Sequence, residues 1–249
     1  MIRRLICLLA CLLPWAVHAT EVDPVPSVMW AFYHKQFLDN APFVFDERVK
    51  LLAPPFAEDA RQVPLEIDAR AFKGRVVRIF AWAELNPLPK IVDFQPKAGV
   101  LPWLALRIRI EQATPLRAAV LTDDGVWHVG STLIDAAGGG CTAPSVVRTQ
   151  PGWEEHIGEV LGGRYPRGEY SRVRVQVAHP MDNGMVSGIP EFYLNHAQLL
   201  GDKGQVMAEL ELFPAVSENP NLAFDIEGAG QTRLVLRDNS GNEFDAAIP

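Results

Sequence analysis

From residue 48 onward the chain is a succession of short apolar runs, many of them alternating with polar residues. Leu106, Ile108 and Ile110 alternate with Arg107 and Arg109, and Val173, Val175 and Val177 alternate with Arg172, Arg174 and Gln176. A period of two sends successive side chains to opposite faces, so each run reads as a strand with one wet face. Val49–Leu52, Val63–Ile67, Val76–Phe80, Leu104–Ile110, Leu116–Leu121 and Val126–Ile134 form a first set. Phe192–Leu200, Gln205–Phe213, Leu222–Ile226, Thr232–Arg237 and Glu243–Ile248 form a second. Turn signals separate them, among them Asn86-Pro-Leu-Pro89, Asp123-Asp-Gly125 and Gly201-Asp-Lys-Gly204. Many short strands at regular spacing predict an all-β chain of two sandwiches.

Two stretches depart from that pattern. Ser27–Leu38 places Trp30, Tyr33, His34 and Phe37 at helical spacing behind Ser27 as N-cap, which predicts a short helix covering one end of a core. Residues 138–168 are rich in Gly and Pro and read as a linker. Within it Trp153, Ile157, Val160 and Leu161 share a helical face. The expected organisation is 20–47 as a helical segment, 48–137 as a first sandwich, 138–168 as arm and linker, and 169–249 as a second sandwich.

Composition adds compartment and exclusions. The 249 residues are 48% hydrophobic and 21% charged, with a net charge of −7, which argues against a general grip on nucleic-acid phosphates. Arg3 and Arg4, the apolar stretch Leu5–Val17 and the small residues at Val17-His-Ala19 read as a signal peptide over 1–19, cleaved after Ala19 and implying export to the periplasm. The stretch is too short for a membrane span, which needs about 20 residues, and no later stretch qualifies. Cleavage would remove Cys7 and Cys11 and leave Cys141 as the one cysteine. His34, His128, His156, His179 and His196 show no ligand spacing, so neither a metal nor any other cofactor is expected.

The candidate chemistry is therefore a single thiol. Cys141 follows Gly138, Gly139 and Gly140, residues without a Cβ that accept most backbone angles. Fully extended, Ala136–Gly140 would carry the thiol roughly 16–18 Å from its anchor. Such reach suits a flexible arm entering a pocket on another protein, whereas a thiol hydrolase needs a base fixed beside the sulfur. His128, on the preceding strand, is the candidate neighbour of the thiol.

In this order along the chain, Lys50-Leu-Leu-Ala-Pro-Pro-Phe-Ala-Glu58, Asn86-Pro-Leu-Pro89, Arg107-Ile-Arg-Ile-Glu-Gln112 and the Gly-Gly-Cys arm resemble the SoxY family of sulfur carriers. His179-Pro-Met-Asp-Asn-Gly184, Ile189-Pro-Glu-Phe-Tyr-Leu194 and Glu218-Asn-Pro-Asn-Leu-Ala-Phe224 resemble its partner, SoxZ. The resemblance implies two immunoglobulin-like β-sandwiches in one chain, similar to fused carriers that accompany quinoprotein dehydrogenases. It also implies that Cys141 holds a sulfur-containing intermediate covalently, with Gly139 and Gly140 as the glycines before it. The implied partners are periplasmic sulfur-oxidation enzymes or cytochromes, or a quinoprotein dehydrogenase system, and the chain itself would not be an enzyme. The alternative is a docking module for such a dehydrogenase or cytochrome. One departure is visible: a SoxY arm ends its chain, whereas Thr142-Ala-Pro144 follows here and leads into the second half.

Overall fold

The computed structural model describes residues 22–249 except Ala229. The segment read as a signal peptide lies outside the described residues. Among the described residues one α-helix, α1 (Trp30–Leu38), precedes sixteen strands. The first-half strands are β1 (Phe43–Phe45), β2 (Lys50–Leu52), β3 (Phe56–Ala57), β4 (Val63–Asp68), β5 (Val76–Ala83), β6 (Lys90–Pro96), β7 (Val100–Ile108), β8 (Thr114–Thr122) and β9 (Trp127–Ala136). The second-half strands are β10 (Val160–Arg167), β11 (Tyr170–Val177), β12 (Leu194–Leu200), β13 (Val206–Leu212), β14 (Asn221–Glu227), β15 (Thr232–Asp238) and β16 (Glu243–Ile248).

The alternation seen in the sequence becomes burial. On β11, Val173, Val175 and Val177 are buried while Arg174 and Gln176 face solvent. β8 is buried on both faces, because a second apolar layer covers its outer side. That layer is α1, which packs Tyr33 and Phe37 against Phe80 and Trp82, with ring centroids 4.9–6.5 Å apart along the chain of contacts. The helix starts two residues later than its sequence suggests, with Met29 and not Ser27 at the N-cap. Ser27 Oγ instead accepts the Met29 N–H at 3.1 Å in the turn before it. Arg117, fully buried on β8, ties the N-terminal segment down through Asp23 at 2.6 Å and Glu84 at 2.8 Å.

The two sandwiches are not beads on a linker. β6 pairs with β13, with Phe94 opposite Leu210, so one layer runs β1-β9-β8-β5-β6-β13-β12-β15-β16 through both halves. β7 pairs with β14, so the other layer runs β10-β11-β14-β7-β4-β2. Each half thus covers the open strand edges of the other, in both layers, within one chain. A single apolar cluster extends through both, including Phe94, Leu104, Leu210 and Phe224.

Residues 138–168 also differ from the expected loop. Residues from Val160 onward form β10, paired along its length with β11. The predicted helical face shrinks to a 3₁₀ turn at Trp153–His156. Gly162 and Gly163 are the reason the sequence reads as loop. A Cβ on Gly162 would stand 2.1 Å from the Arg174 carbonyl, so glycine here permits close strand approach.

Because the core is continuous, truncation at the seam is expected to weaken both halves together. Phe94→Ala should cost about 3–5 kcal/mol, and calorimetry should show one transition, shifted down, before and after the change. Two separate transitions, only one of which moves, would contradict a shared core.

Candidate functional site

β9 ends at Ala136, and the chain then turns back on itself instead of extending outward. Gly138 and Gly139 take the left-handed region, with φ of 102° and 82°. Gly140 is needed for a different reason: a Cβ there would stand 2.2 Å from the Ala60 carbonyl oxygen and 2.3 Å from that of Ile110. The Ala143 N–H donates to the Gly139 carbonyl at 3.2 Å and closes a turn around the cysteine. Cys141 is fully buried. The sequence-based expectation of an exposed thiol on a free glycine arm is therefore corrected. The same glycines that would make a supple stalk also let the backbone fit into a tight space.

A carboxylate holds this turn. Glu111, just beyond β7, accepts the N–H groups of Gly139 at 3.2 Å, Cys141 at 2.8 Å and Thr142 at 3.3 Å. The Thr142 hydroxyl donates to the same carboxylate at 3.1 Å. Successive N–H groups converging on one anion form the cradle expected of a left-handed glycine turn. Asn183, from the second half, donates Nδ2 to the Cys141 carbonyl at 2.7 Å. Downstream, Glu218 accepts from the Ser145 hydroxyl at 2.5 Å and the Val146 N–H at 2.7 Å. The arm is clamped at both ends, by the first half upstream and the second half downstream.

Arg109, two residues before Glu111, is itself buried, and its charge acts on the thiol. Its guanidinium donates to the carbonyls of Met181 and, at 3.3 Å, Pro180. Asn86 positions this end of the first half: its Nδ2 donates to the Arg109 carbonyl at 2.7 Å, and its Oδ1 accepts the Glu111 N–H at 2.9 Å. His179 fixes the opposing turn. Its Nδ1 accepts the Met181 N–H at 3.1 Å, and burial pulls its pKa down to about 4, so it stays neutral. Four motifs read from the sequence as separate signatures, around Asn86, Arg107–Gln112, His179 and Glu218, thus converge around one cysteine. Their role was not legible from spacing, because the contacts between motifs join residues 23 to 73 positions apart.

His128 does not join them. It sits at the start of β9, with Nδ1 2.8 Å from Asp46 and its ring against Phe72. The thiol follows the far end of that strand, about 26 Å away along eight residues. The expectation that His128 neighbours the thiol is corrected on this geometry. Among the described residues no group of His, Cys, Asp and Glu could hold a metal ion. No described helix is long and apolar enough to cross a membrane.

Burial pushes the Cys141 pKa up to about 12, with the Glu111 carboxylate adding to the rise and Arg109 opposing it. In this closed position the sulfur is a thiol, not a nucleophilic thiolate. The linkage has a definite sign. Above about pH 9, the ordinary value, the unfolded chain releases its proton while the folded chain keeps it to about 12. Folded stability contributed by the group is complete below pH 9 and falls as pH rises, by about 1.4 kcal/mol at pH 10. Urea unfolding at a series of pH values should show this extra loss in the wild type and not in Cys141→Ser. Parallel curves would contradict a buried, neutral thiol.

Comparison with known proteins accords with this geometry. The family described as sulfur oxidation protein SoxY matches residues 34–141, ending on the buried cysteine. The family described as sulphur oxidation protein SoxZ matches residues 163–249. A solved structure of the sulfur carrier protein SoxY from Chlorobium limicola f thiosulfatophilum is similar at 19% identity and a TM-score of 0.36, over 43% of this chain and 93% of that one. No curated protein matches the chain. With the two domains in tandem over most of its length, the chain is a fused SoxYZ-like protein of the sulfur-oxidation carrier type.

Proposed function

We propose that the protein is an exported, periplasmic carrier that holds a sulfur-containing intermediate covalently on Cys141 and presents it to partner enzymes, without turnover of its own. The single observation that carries this reading is the setting of the thiol. It is the last residue of the SoxY match, and it stands on a turn held by polar contacts. Glu111 and Asn183 hold its backbone, and among the described residues no histidine hydrogen-bonds to the turn. A hydrolase would need a base within hydrogen-bond reach of the sulfur.

The closed position adds a step to the reading. The turn is held by the Glu111 and Glu218 carboxylates, the Asn183 amide and one backbone hydrogen bond, polar contacts that a docked partner can replace with donors and acceptors of its own. Charge-assisted hydrogen bonds contribute about 1.5–3 kcal/mol each when buried, and here Thr142 is exposed. Opening returns the thiol to water, where its pKa falls back towards its ordinary range and the thiolate becomes available. Loading is then an exchange with a partner's persulfide. The Cys141 thiolate attacks the outer sulfur, a new S–S bond forms on Cys141, and the donor's S–S bond breaks. The donor's thiolate leaves and takes up the proton, with no net oxidation. Sulfur-oxidation enzymes, cytochromes or a quinoprotein dehydrogenase system are the partners this reading calls for.

Intact-mass measurement of the protein isolated from its native periplasm tests it. The expected result is a fraction carrying added sulfur that vanishes in Cys141→Ser, while that variant keeps a native thermal transition. Unmodified thiol throughout, under conditions in which the pathway runs, would overturn the reading.

A further inference from the structure

The outer face of the six-stranded layer forms an open groove of about 830 Å³. It exists only because the two halves share that layer: β4 and β7 supply one side, and β14, β11 and β10 the other. Its floor is low where Ala105 pairs with Ala223. Leu161, Tyr165 and Leu52 stand at its edges, each at least half exposed.

Its charge is opposite to that of the protein. Arg107, Arg172 and Arg174 line it against one carboxylate, Glu66, in a chain whose net charge is −7. Glu66 is engaged by the Trp103 indole N–H at 2.9 Å. Arg172 lies over the Trp103 ring at 3.6 Å and pairs with the buried Asp225 at 2.7 Å. Arg107 and Arg174 are exposed, and among the described residues neither makes an ion pair. They stand on β7 and β11, two strand spacings apart across β14; Arg174 is level with Ala105, so Arg107 is also two residues further along, and the two backbones are about 12 Å apart. Carboxylates at alternate positions of an extended segment lie on one face about 7 Å apart, within reach of two arginine side chains.

We propose that this groove docks an extended, acidic segment of a partner protein, with carboxylates on Arg107 and Arg174 and apolar residues against Leu161 and Tyr165. Arg107 is four residues before Glu111, so this end of the groove is within about 14 Å of chain of the carboxylate that holds the cysteine turn. The inference stands on the groove and adds a recognition surface to the carrier reading without depending on the fate of the thiol.

The test is fluorescence anisotropy with a labelled octapeptide that has Val at each end and Glu alternating with Ser between, and a counterpart with Lys in place of Glu. The wild type should bind the Glu peptide saturably, with affinity falling as salt rises, and should not bind the Lys peptide. The Arg107→Glu, Arg174→Glu double variant, with an unchanged melting temperature, should lose at least about tenfold in affinity. Cys141→Ser should bind as the wild type does, which separates this inference from the carrier reading. Equal binding by the double variant, or of both peptides, would overturn it. Sedimentation showing wild-type dimers that the double variant cannot form would assign the groove to a second copy and likewise overturn it.

Discussion

Everything distinctive about the cysteine follows from one carboxylate. Glu111 gathers the N–H groups of Gly139, Cys141 and Thr142, and so turns a sequence of low bulk into a fixed loop. An N–H group left unpaired in the interior costs about as much as a lost hydrogen bond, and three glycines offer no side chains to compensate. Without Glu111 those three N–H groups lose their acceptor, and only Asn183, Glu218 and one backbone hydrogen bond still hold the loop. With it, the sulfur is sealed and its proton retained. The interaction is local, polar and reversible, which suits a group that must be hidden at rest and available on demand.

The continuous sheets make that interaction possible. Glu111 and Arg109 extend from β7, which borders the seam, while Asn183 and the Met181 carbonyl come from the second half. Pairing of β6 with β13 and of β7 with β14 sets these groups at fixed separations. Two sandwiches joined only by a flexible linker would let the halves drift by more than a hydrogen bond tolerates. In this chain the linker is instead a packed strap. Arg148 reaches Asp182 at 2.6 Å and stacks over Trp153 at 4.5 Å.

Much of this was readable from residue order. Alternation on β7 and β11 identified strands, because one face of each is wet. The aromatic spacing of α1 identified a helix against a core. Cys141 stood out as the lone thiol on a glycine turn. Its burial did not, since glycine serves both freedom and close approach, and only the positions of Ala60 and Ile110 decide between them. β10 was hidden by Gly162 for the same reason. His128 looked close in sequence but lies at the wrong end of a ten-residue strand.

The account is tested most directly by the rate at which iodoacetamide alkylates Cys141 at neutral pH, in the wild type and in Glu111→Ala. Loss of the carboxylate removes the acceptor of three N–H groups and one hydroxyl and should weaken the closed turn by at least about 2 kcal/mol, so the variant should react at least roughly 30-fold faster while its overall fold is retained. A wild-type thiol that reacts as fast as a free cysteine, with no gain from the substitution, would show that the turn is not held shut.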